Sequence, residues 1–390
     1  MKSTARLSDF AARLRRVIRA STRRGPARAR TPLGAESETE PRPSRACLAE
    51  AKFNSLALEL FRLQFEQNAP YRRICQARGV SPEDATDWSH IPAVPAAAFK
   101  EFELSCLPPE ERTAVFCSSG TTGQRPGRHF HNEESLALYR ASLTPWFEAN
   151  VLDGGCGMDD WQLSVLTPGP EAAPHSSLVH MFEAVRRQLG SPASAFLGQA
   201  VADGAWRLDL EAAVAALRSS VRSGRPLLLL GTAFMFVSLL DHLATQGLQF
   251  ALPPRSRLME TGGYKGRSRA LPAEELRALI TGRLGIAPAL IIREYGMSEL
   301  GSQAYAGPPG SARPFRFPGW VRVQIISPET GQEVTEGQTG LIRVFDLANA
   351  FSVLAVQTED LAVRCADGFE LLGRAALAEP RGCSLMALTE

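Results

Sequence analysis

Residues 116–127 read Phe-Cys-Ser-Ser-Gly-Thr-Thr-Gly-Gln-Arg-Pro-Gly, a segment of glycines and hydroxyl side chains that follows a short apolar run. The preceding residues, 113–117, are typical of a short buried strand, since they include valine and phenylalanine. A strand that runs into such a segment can direct backbone N–H groups and short O–H donors toward one point. An anion such as a nucleotide polyphosphate fits this arrangement. A polar surface turn has the same composition, so the segment by itself leaves both interpretations open.

The amino-acid composition limits which partners and which kinds of site the protein can be expected to have. The 390 residues are 44% hydrophobic and 22% charged with a net charge of +2, a balance that does not predict a nucleic-acid partner. The seven cysteines form no CxxC pair, so neither a zinc site nor a disulfide framework is indicated, and free thiols fit a reducing cytoplasm. Any lysine-dependent step has a short list of candidates: Lys2, Lys52, Lys100 and Lys265.

The first 45 residues differ from the rest of the chain. Up to residue 30 they contain nine arginines and a single acidic residue, Asp9. We interpret residues 1–45 as a basic disordered tail. A short amphipathic helix, with apolar residues at helical spacing from Leu7 to Ile18, and a targeting or membrane-surface segment are the alternatives. The longest apolar run, residues 227–240, is too short to span a bilayer, so no transmembrane segment is expected.

The order of predicted elements indicates an α/β fold. Helical spacing and short apolar strands alternate up to Gly319, and the residues beyond it form short β-rich runs. The predicted runs are 321–326, 340–345, 351–356 and 361–365. We therefore predict helix-flanked sheets in an α/β body at 46–319. A small β-barrel-like subdomain with a short C-terminal tail is predicted at 320–390.

Four further motifs follow the glycine-rich segment: Thr261-Gly262-Gly263, Tyr295-Gly296-Met297-Ser298-Glu299, Thr358-Glu359-Asp360 and Gly373-Arg374. Each by itself reads as an ordinary turn or strand end. Their order resembles that of the adenylate-forming superfamily, which contains acyl-CoA synthetases and peptide-synthetase adenylation domains. Residues 118–127 resemble its phosphate loop, [ST]-S-G-[ST]-[ST]-G-x-P-K, although Arg125-Pro126-Gly127 stands where Pro-Lys-Gly is usual.

The resemblance implies ATP and Mg²⁺ as cofactors and assigns residues to them. Its phosphate contacts are Ser118, Ser119, Gly120, Thr121, Thr122, Gly123 and Ser298. Its adenine contacts are Gly262, Gly263 and Tyr295, its ribose contacts are Asp360 and Arg374, and Gly296 is a further cofactor-binding residue. Glu299 is implied as a catalytic residue and as the Mg²⁺ ligand, because this hard cation prefers oxygen ligands. Glu359 replaces the usual glycine of the T-G-D element.

Other stretches are similar to the acyl-protein synthetase family of the LuxE type: Phe99-Lys100, Pro174-His175-Ser176-Ser177-Leu178, Thr261–Lys265 and Arg381-Gly382-Cys383-Ser384-Leu385. This resemblance covers nearly everything from about residue 50 onward. It implies the large N-terminal domain of the adenylate-forming fold, with the mobile C-terminal domain largely absent. It also implies that Cys383 receives the acyl group, while an inert buried cysteine stays an alternative. Lys265 is the implied substitute for the C-terminal catalytic lysine, and Lys100, which reads as a solvated surface lysine, is the second candidate.

Together the resemblances imply ATP-dependent activation of a carboxylic acid, such as a fatty acid, to acyl-AMP. The acyl group would then pass to Cys383, CoA or a carrier protein, with an acyl-reductase or acyl-carrier protein as partner. The alternative is a non-catalytic nucleotide-binding or scaffold subunit of an acyl-transfer complex, which Arg125 and Glu359 favour. A third interpretation makes the basic N-terminal segment primary, as a membrane- or partner-recruiting module.

Several histidines could suggest a metal cluster: His129, His131, His175 and His180. His129 and His131 would project to the same face of a strand, but no cysteine or carboxylate has suitable spacing. We therefore expect loop histidines with ordinary hydrogen bonds and no metal. By analogy with the family, residues 161–189, including His175 and His180, are expected to line the acyl pocket.

Overall fold

Helices and strands alternate through most of the chain in the computed structural model, which describes residues 2–22, 48–118, 125–152, 161–189, 194–201, 205–262, 271–307 and 314–375. Its helices are α1 (Lys2–Thr22), α2 (Glu50–Gln67), α3 (Ala69–Ala77), α4 (Ala98–Glu101), α5 (Glu133–Val151), α6 (Ser177–Leu189), α7 (Leu210–Ser223), α8 (Ala233–Thr245) and α9 (Ala273–Leu284). Short 3-10 turns span Trp88–His90, Pro109–Glu111 and Pro288–Leu290.

The strands are shorter and continue to the end of the described residues. They are β1 (Val94–Pro95), β2 (Ala114–Cys117), β3 (Arg128–His131), β4 (Gln162–Val165), β5 (Ala195–Phe196), β6 (Gly198–Ala200), β7 (Trp206–Leu208), β8 (Leu227–Thr232), β9 (Arg257–Thr261), β10 (Ile291–Tyr295), β11 (Ala304–Ala306), β12 (Val321–Ile326), β13 (Thr339–Asp346), β14 (Ala355–Cys365) and β15 (Gly368–Arg374). Strands β2 and β3 form one hairpin, and β6 and β7 form another.

The large sheet has the strand order β11-β10-β9-β8-β4-β5, and its strands are parallel except for β11. Alternate residues of a strand face opposite sides of a sheet. In β8, Leu228 and Leu230 belong to one hydrophobic core, whereas Leu227 and Leu229 belong to another. The first core contains buried residues of α5 and α6, and the second contains those of α7, α8 and α9. Helices therefore cover both faces, and the predicted α/β class is confirmed.

The small sheet has the order β1-β14-β13-β12, with β15 also paired to β14. Its pairs are antiparallel except that Val94 of β1 lies parallel and opposite to Val356 of β14. Trp88 packs edge-on against Phe345 of β13, with ring centroids 4.8 Å apart. The segment before residue 319 thus contributes a strand and core residues to the small sheet. The division of the chain at residue 319 stays a prediction.

The predicted strand at 351–356 is wrong for residues 351–354. Strand β14 begins at Ala355 and continues through the predicted strand at 361–365. The backbone N–H of Cys106 donates to the carbonyl of Phe351 at 2.8 Å. The hydroxyl of Ser352 donates to the carbonyl of Leu104, which lies 248 residues away along the chain, at 2.6 Å. These distant partners hold the segment as a turn, which local sequence cannot reveal.

The interpretation of residues 1–45 as a disordered tail is wrong for residues 2–22, which form α1. The apolar side of this helix packs against α5 and α2. Its fully buried residues are Leu7, Phe10, Leu14 and Ile18. On its outer side, Arg6 pairs with Glu66 and Arg13 pairs with Glu59, both in α2. Hydrophobic burial and these ion pairs order the segment despite its high charge. Residues 23–45 lie outside the described residues.

We expect Phe10→Ala to lower the free energy of unfolding by about 3–5 kcal/mol, because it empties a fully buried aromatic site in the core. Urea denaturation followed by circular dichroism measures the change. Arg16→Ala is the matched control, since Arg16 is exposed on the same helix and its loss should cost less than about 0.5 kcal/mol. Equal unfolding midpoints for the two variants would contradict the docking of α1.

Candidate functional site

The glycine-rich segment connects two strands of a hairpin. Strand β2 pairs antiparallel with β3, and of β2 only Phe116 is buried. Just beyond the strands, Ser118 N–H donates to the carbonyl of Gly127 at 2.9 Å, and Gly127 N–H donates to Ser118 Oγ at 2.8 Å. These two bonds close the base of the hairpin. The other predicted phosphate contacts of this segment, Ser119, Gly120, Thr121, Thr122 and Gly123, lie outside the described residues, and Arg125 is exposed.

Glu299 lies beside the base of this hairpin. A Cβ atom added to Gly127 would come within 3.0 Å of Ser118 Oγ and 3.1 Å of Glu299 Oε1. Only 5% of Glu299 is exposed, and burial raises the pKa of its carboxyl group. The Ser298 hydroxyl and the charges of Arg374 and Lys100 act in the opposite direction. A glycine at 127 therefore lets this carboxylate and the hairpin approach each other.

The position of Lys100 differs from the expected solvated surface lysine. Lys100 is half-buried in α4, and its charge acts on the Glu299 carboxyl group. The neighbouring Phe99 is fully buried, and its Cβ would lie 3.4 Å from a Cβ added to Gly127. Helix α4 thus lies close to the hairpin base. The other lysine candidate, Lys265, lies outside the described residues, as does Gly263.

Tyr295 and Asp360 connect the large sheet to the small one. The Tyr295 hydroxyl, at the end of β10, donates to Asp360 Oδ2 of β14 at 2.8 Å. Arg374 of β15 lies opposite Asp360 in the sheet, with its Nε 3.8 Å from Asp360 Oδ1, and 77% of its side chain is exposed. Burial raises the pKa of Asp360, which the Tyr295 hydrogen bond and Arg374 partly offset. The Tyr295 ring is only 7% exposed and packs edge-on against Phe369 at 5.5 Å.

Two glycines of the predicted site have a structural requirement. Gly262 follows β9 with a φ of 69°, in the left-handed region that favours glycine. A Cβ added to Gly296 would lie 2.4 Å from Glu294 Oε1, so any larger residue would collide with this buried carboxyl group. Both glycines follow the carboxyl ends of neighbouring strands. Next to Gly296 in the same turn, the carbonyl of Ser298 accepts a bond from His129 Nδ1 at 2.8 Å, which assigns the ring proton to Nδ1.

Sequence reasoning missed two residues that hold the segment after Glu299. The Asp346 carboxylate accepts bonds from Gly301 N–H at 3.0 Å and from the Ser302 hydroxyl at 2.9 Å. The Asn349 side chain donates to the backbone carbonyl of Glu299 at 2.8 Å. Asp346 is fully buried, and burial raises its pKa to about 6. A carboxylate at the end of an apolar strand was the only local signal of this role.

The buried histidines form a cluster beneath the hairpin. His129 and His131 project from the same face of β3, as predicted, while His180 lies on α6 and only His175 lies in a loop. Phe116 lies between His131 and His180, at centroid distances of 4.3 and 5.2 Å. Burial lowers the pKa of His129 and of His180 to about 4, and that of His131 well below its usual value. These rings are therefore neutral at neutral pH, and the described residues contain no metal-binding group of histidines, cysteines and carboxylates.

The geometry brings together groups of complementary chemistry. A buried carboxylate, Glu299, lies at the base of the glycine-rich hairpin and can offer oxygen to a hard cation. The exposed guanidinium of Arg374 can pair with an anion, and the Asp360 carboxylate can accept hydrogen bonds from hydroxyl groups. A phosphorylated, hydroxyl-bearing ligand fits this combination.

Comparisons with known proteins agree on one family. A family model described as acyl-protein synthetase, LuxE, matches residues 47–389. A long-chain-fatty-acid–luciferin-component ligase from Vibrio harveyi is 22% identical over 337 residues, which cover 83% of this chain and 84% of the relative. The ligase of the same name from Aliivibrio fischeri is 21% identical over 315 residues, which cover 80% of this chain and 78% of the relative.

Solved structures share the fold. A 2-hydroxyisobutyryl-CoA ligase in complex with 2-HIB-AMP matches with a TM-score of 0.61 and 14% identity, over 87% of this chain and 73% of that chain. An open conformation of this ligase matches with a TM-score of 0.59 and 15% identity, over 89% of this chain and 76% of that chain. The fold predicted from the motifs, that of the adenylate-forming ligases, is confirmed. Within the described ranges, no helix combines the length and the apolar character needed to cross a membrane.

We expect Tyr295→Phe to destabilise the protein by about 1.5–3 kcal/mol, because it removes a hydrogen bond to a largely buried carboxylate. Tyr305→Phe is the matched control: its hydroxyl is buried and has no hydrogen-bond partner among the described residues. Removing that hydroxyl should leave stability unchanged or slightly raise it. Urea denaturation of both variants provides the comparison, and an equal loss in both would contradict a bridging role for Tyr295.

Proposed function

Because the chain belongs to the acyl-protein synthetase (LuxE) family, we propose that it activates a carboxylic acid with ATP and then transfers the acyl group to a thiol. The observation that carries this proposal is the convergence of residues from three motifs that are distant in sequence, near the base of the glycine-rich hairpin: Tyr295 and Glu299 from the first, Asp360 from the second and Arg374 from the third. Since the curated relatives are named long-chain-fatty-acid ligases, a fatty acid is the proposed acid.

The proposed nucleotide contacts follow the motif order. The phosphates would lie against the hairpin and Ser298, and the adenine would lie between the glycines that follow β9 and β10 and the Tyr295 ring. Asp360 and Arg374 would contact the ribose. The predicted phosphate, adenine and lysine residues outside the described ranges stay part of this proposal: Ser119, Gly120, Thr121, Thr122, Gly123, Gly263 and Lys265.

The residues present suit a Mg²⁺ ion. Glu299 offers a buried carboxylate oxygen next to the hairpin, and Ser118 Oγ lies close to the same point. Mg²⁺ is usually held by one or two protein carboxylates together with phosphate oxygens and waters, so one carboxylate suffices. When bound, the ion would neutralise charge on the phosphates.

The acyl carbon of a free carboxylate is a poor electrophile. One carboxylate oxygen must therefore first become part of a good leaving group. A carboxylate oxygen of the acid attacks the α-phosphorus of ATP, the bond to pyrophosphate breaks, and acyl-AMP forms. Donors at the hairpin would stabilise the charge of the departing pyrophosphate. Lys265 is the proposed lysine near the reacting groups, and Lys100 is the alternative, supported by the action of its charge on Glu299.

In the second half-reaction, a thiolate attacks the acyl carbon and AMP leaves, so that a thioester forms. Cys383 is the proposed thiol, and CoA or a carrier protein are the other acceptors. An acyl-reductase or acyl-carrier protein would then receive the acyl group. The cysteines of the described residues, Cys75, Cys106, Cys117 and Cys365, are free thiols, which supports a cytoplasmic location.

An ATP–pyrophosphate exchange assay over a panel of fatty acids tests the activation step. We expect Asp360→Asn to raise the KM for ATP by about tenfold to a hundredfold, since hydrogen bonds to a charged group contribute about 1.5–3 kcal/mol. Asp367→Asn is the matched control, because Asp367 lies in the turn between β14 and β15 and pairs with Arg316 on the surface. Unchanged KM in Asp360→Asn would contradict the ribose assignment.

The same assay separates the enzyme from the non-catalytic alternative. A folded protein that binds ATP but exchanges pyrophosphate with no acid would be a nucleotide-binding or scaffold subunit.

We expect Cys383→Ser to abolish a protein-bound, hydroxylamine-labile acyl adduct while leaving ATP–pyrophosphate exchange intact. Incubation with ATP and radiolabelled acid, followed by neutral hydroxylamine, measures the adduct. Cys365→Ser is the control: burial raises the pKa of Cys365, which makes it a poor nucleophile, and its loss should not matter. A labile adduct on the Cys383→Ser protein would exclude Cys383 as the acceptor.

A further inference from the structure

Four polar side chains form a row across the carboxyl end of the large sheet. Strand pairing sets Thr232 of β8 opposite Thr261 of β9, Thr261 opposite Glu294 of β10, and Glu294 opposite Tyr305 of β11. Residues paired in this way on neighbouring strands project to the same face of a sheet. We call these four residues the polar row. They are only 3–7% exposed.

The two ends of the polar row have unused hydrogen-bonding capacity. In its middle, the Thr261 hydroxyl donates to the Glu294 carboxyl group. At its ends, Thr232 Oγ1 and the Tyr305 hydroxyl are buried without a hydrogen-bond partner among the described residues. Burying a hydroxyl without a partner is unfavourable, and folded proteins rarely tolerate it without a compensating ligand or water.

Glu294 can act as a donor as well as an acceptor. Burial raises its pKa to about 7, while the Thr261 hydroxyl lowers it and the nearby Glu260 carboxylate raises it. A substantial fraction of Glu294 therefore carries a proton at neutral pH. Its charge also acts on the hydroxyl groups of Tyr139 and Tyr305, so these two phenols face the same carboxyl group.

The polar row lies directly beside the proposed nucleotide contacts. Thr261 precedes Gly262 in the chain, and Glu294 precedes Tyr295 and packs against Gly296. In open α/β sheets, ligands bind outside the carboxyl ends of the strands. A group bound at the polar row would therefore belong to a molecule that also reaches the nucleotide.

The helix side of the polar row adds further polar groups. The ring centroids of Tyr139 of α5 and of His180 lie 5.6 Å apart. His180 Nε2 is also buried without a partner among the residues that the structure describes. On the opposite face of the same strands, Arg293 and Glu260 form an ion pair, with Arg293 Nε 3.4 Å from Glu260 Oε1.

We propose that the polar row recognises a hydroxyl group near the carboxyl end of the acid, so that the substrate is a hydroxy fatty acid rather than an unsubstituted one. This inference rests on the proposed function and specifies its substrate class. A substrate hydroxyl can accept a hydrogen bond from Tyr305 and donate one to Glu294. An unsubstituted alkyl chain would leave the buried hydroxyls unpaired, and sites built to bind a hydroxyl discriminate strongly against analogues that lack it.

Matched acids test the inference in two independent assays. Exchange of pyrophosphate is measured with decanoate, 2-hydroxydecanoate and 3-hydroxydecanoate, and binding of the same acids is measured by isothermal titration calorimetry. We expect at least one hydroxy acid to exceed decanoate by about tenfold or more in kcat/KM and in affinity, which corresponds to one hydrogen bond.

Substitutions in the polar row test whether these residues cause the preference for a hydroxy acid. Tyr305→Phe and Glu294→Leu should each reduce the ratio of kcat/KM for the hydroxy acid to kcat/KM for decanoate by about tenfold. Glu260→Gln is the matched control, since it alters a buried carboxyl group on the opposite face and should keep the preference. If Glu294→Leu fails to fold, Tyr305→Phe still tests the recognition of the substrate hydroxyl, because it removes only a hydroxyl without a hydrogen-bond partner among the described residues.

The outcomes separate this inference from the proposed function. Exchange with decanoate equal to or faster than with both hydroxy acids overturns the inference and leaves the function standing. Preferential binding of a hydroxy acid, lost in Tyr305→Phe, supports the polar row even if no exchange occurs, and then the function fails instead. A preference that Tyr305→Phe and Glu294→Leu both leave intact overturns the inference.

Discussion

The hydrogen bond between Tyr295 and Asp360 is the interaction on which the site depends. It joins the end of a strand in the large sheet to a strand of the small sheet, 65 residues later in the chain. Both groups are largely buried, so each would be costly to leave unpaired. The bond therefore helps to hold the small sheet against the large one, together with the bonds that Asp346 and Asn349 make to the segment after β10. Because Arg374 pairs with Asp360 across β14 and β15, the guanidinium is placed by the same contact.

Contacts of buried polar groups near the ends of the strands organise the rest of the site. Asp346 and Asn349 bind the backbone around Glu299, and Glu299 in turn lies against the hairpin at Gly127. Each contact links two elements that are rigid by virtue of strand pairing or core packing. The polar row is one of the places in the described residues that depart from this pattern, since two of its buried hydroxyls have no hydrogen-bond partner.

Local patterns predicted the elements well where burial follows periodicity, as in α5 and β12, and where a motif occurs they singled out site residues whose roles stay predictions. They failed where distant contacts decide the outcome. Charge density suggested a disordered N-terminal segment, yet Phe10 and Leu14 bury completely in the core. Loop histidines were expected, but His129 and His131 lie on β3 and His180 lies on α6, where burial lowers the pKa of each ring and keeps it neutral. Lys100 read as a surface residue until folding brought its charge near Glu299.

By itself, the sequence determined the α/β class, the order of the motifs, and the residue types that are proposed to contact a nucleotide. Those properties follow from periodicity and from local backbone requirements such as the left-handed conformation at Gly262. Only the tertiary structure decided which side chains meet: Tyr295 with Asp360, Glu299 with Gly127, and Glu294 with Thr261. The reason is physical. Strand register and burial, which arise from packing between distant segments, set the face, the partners and the proton affinity of each polar group.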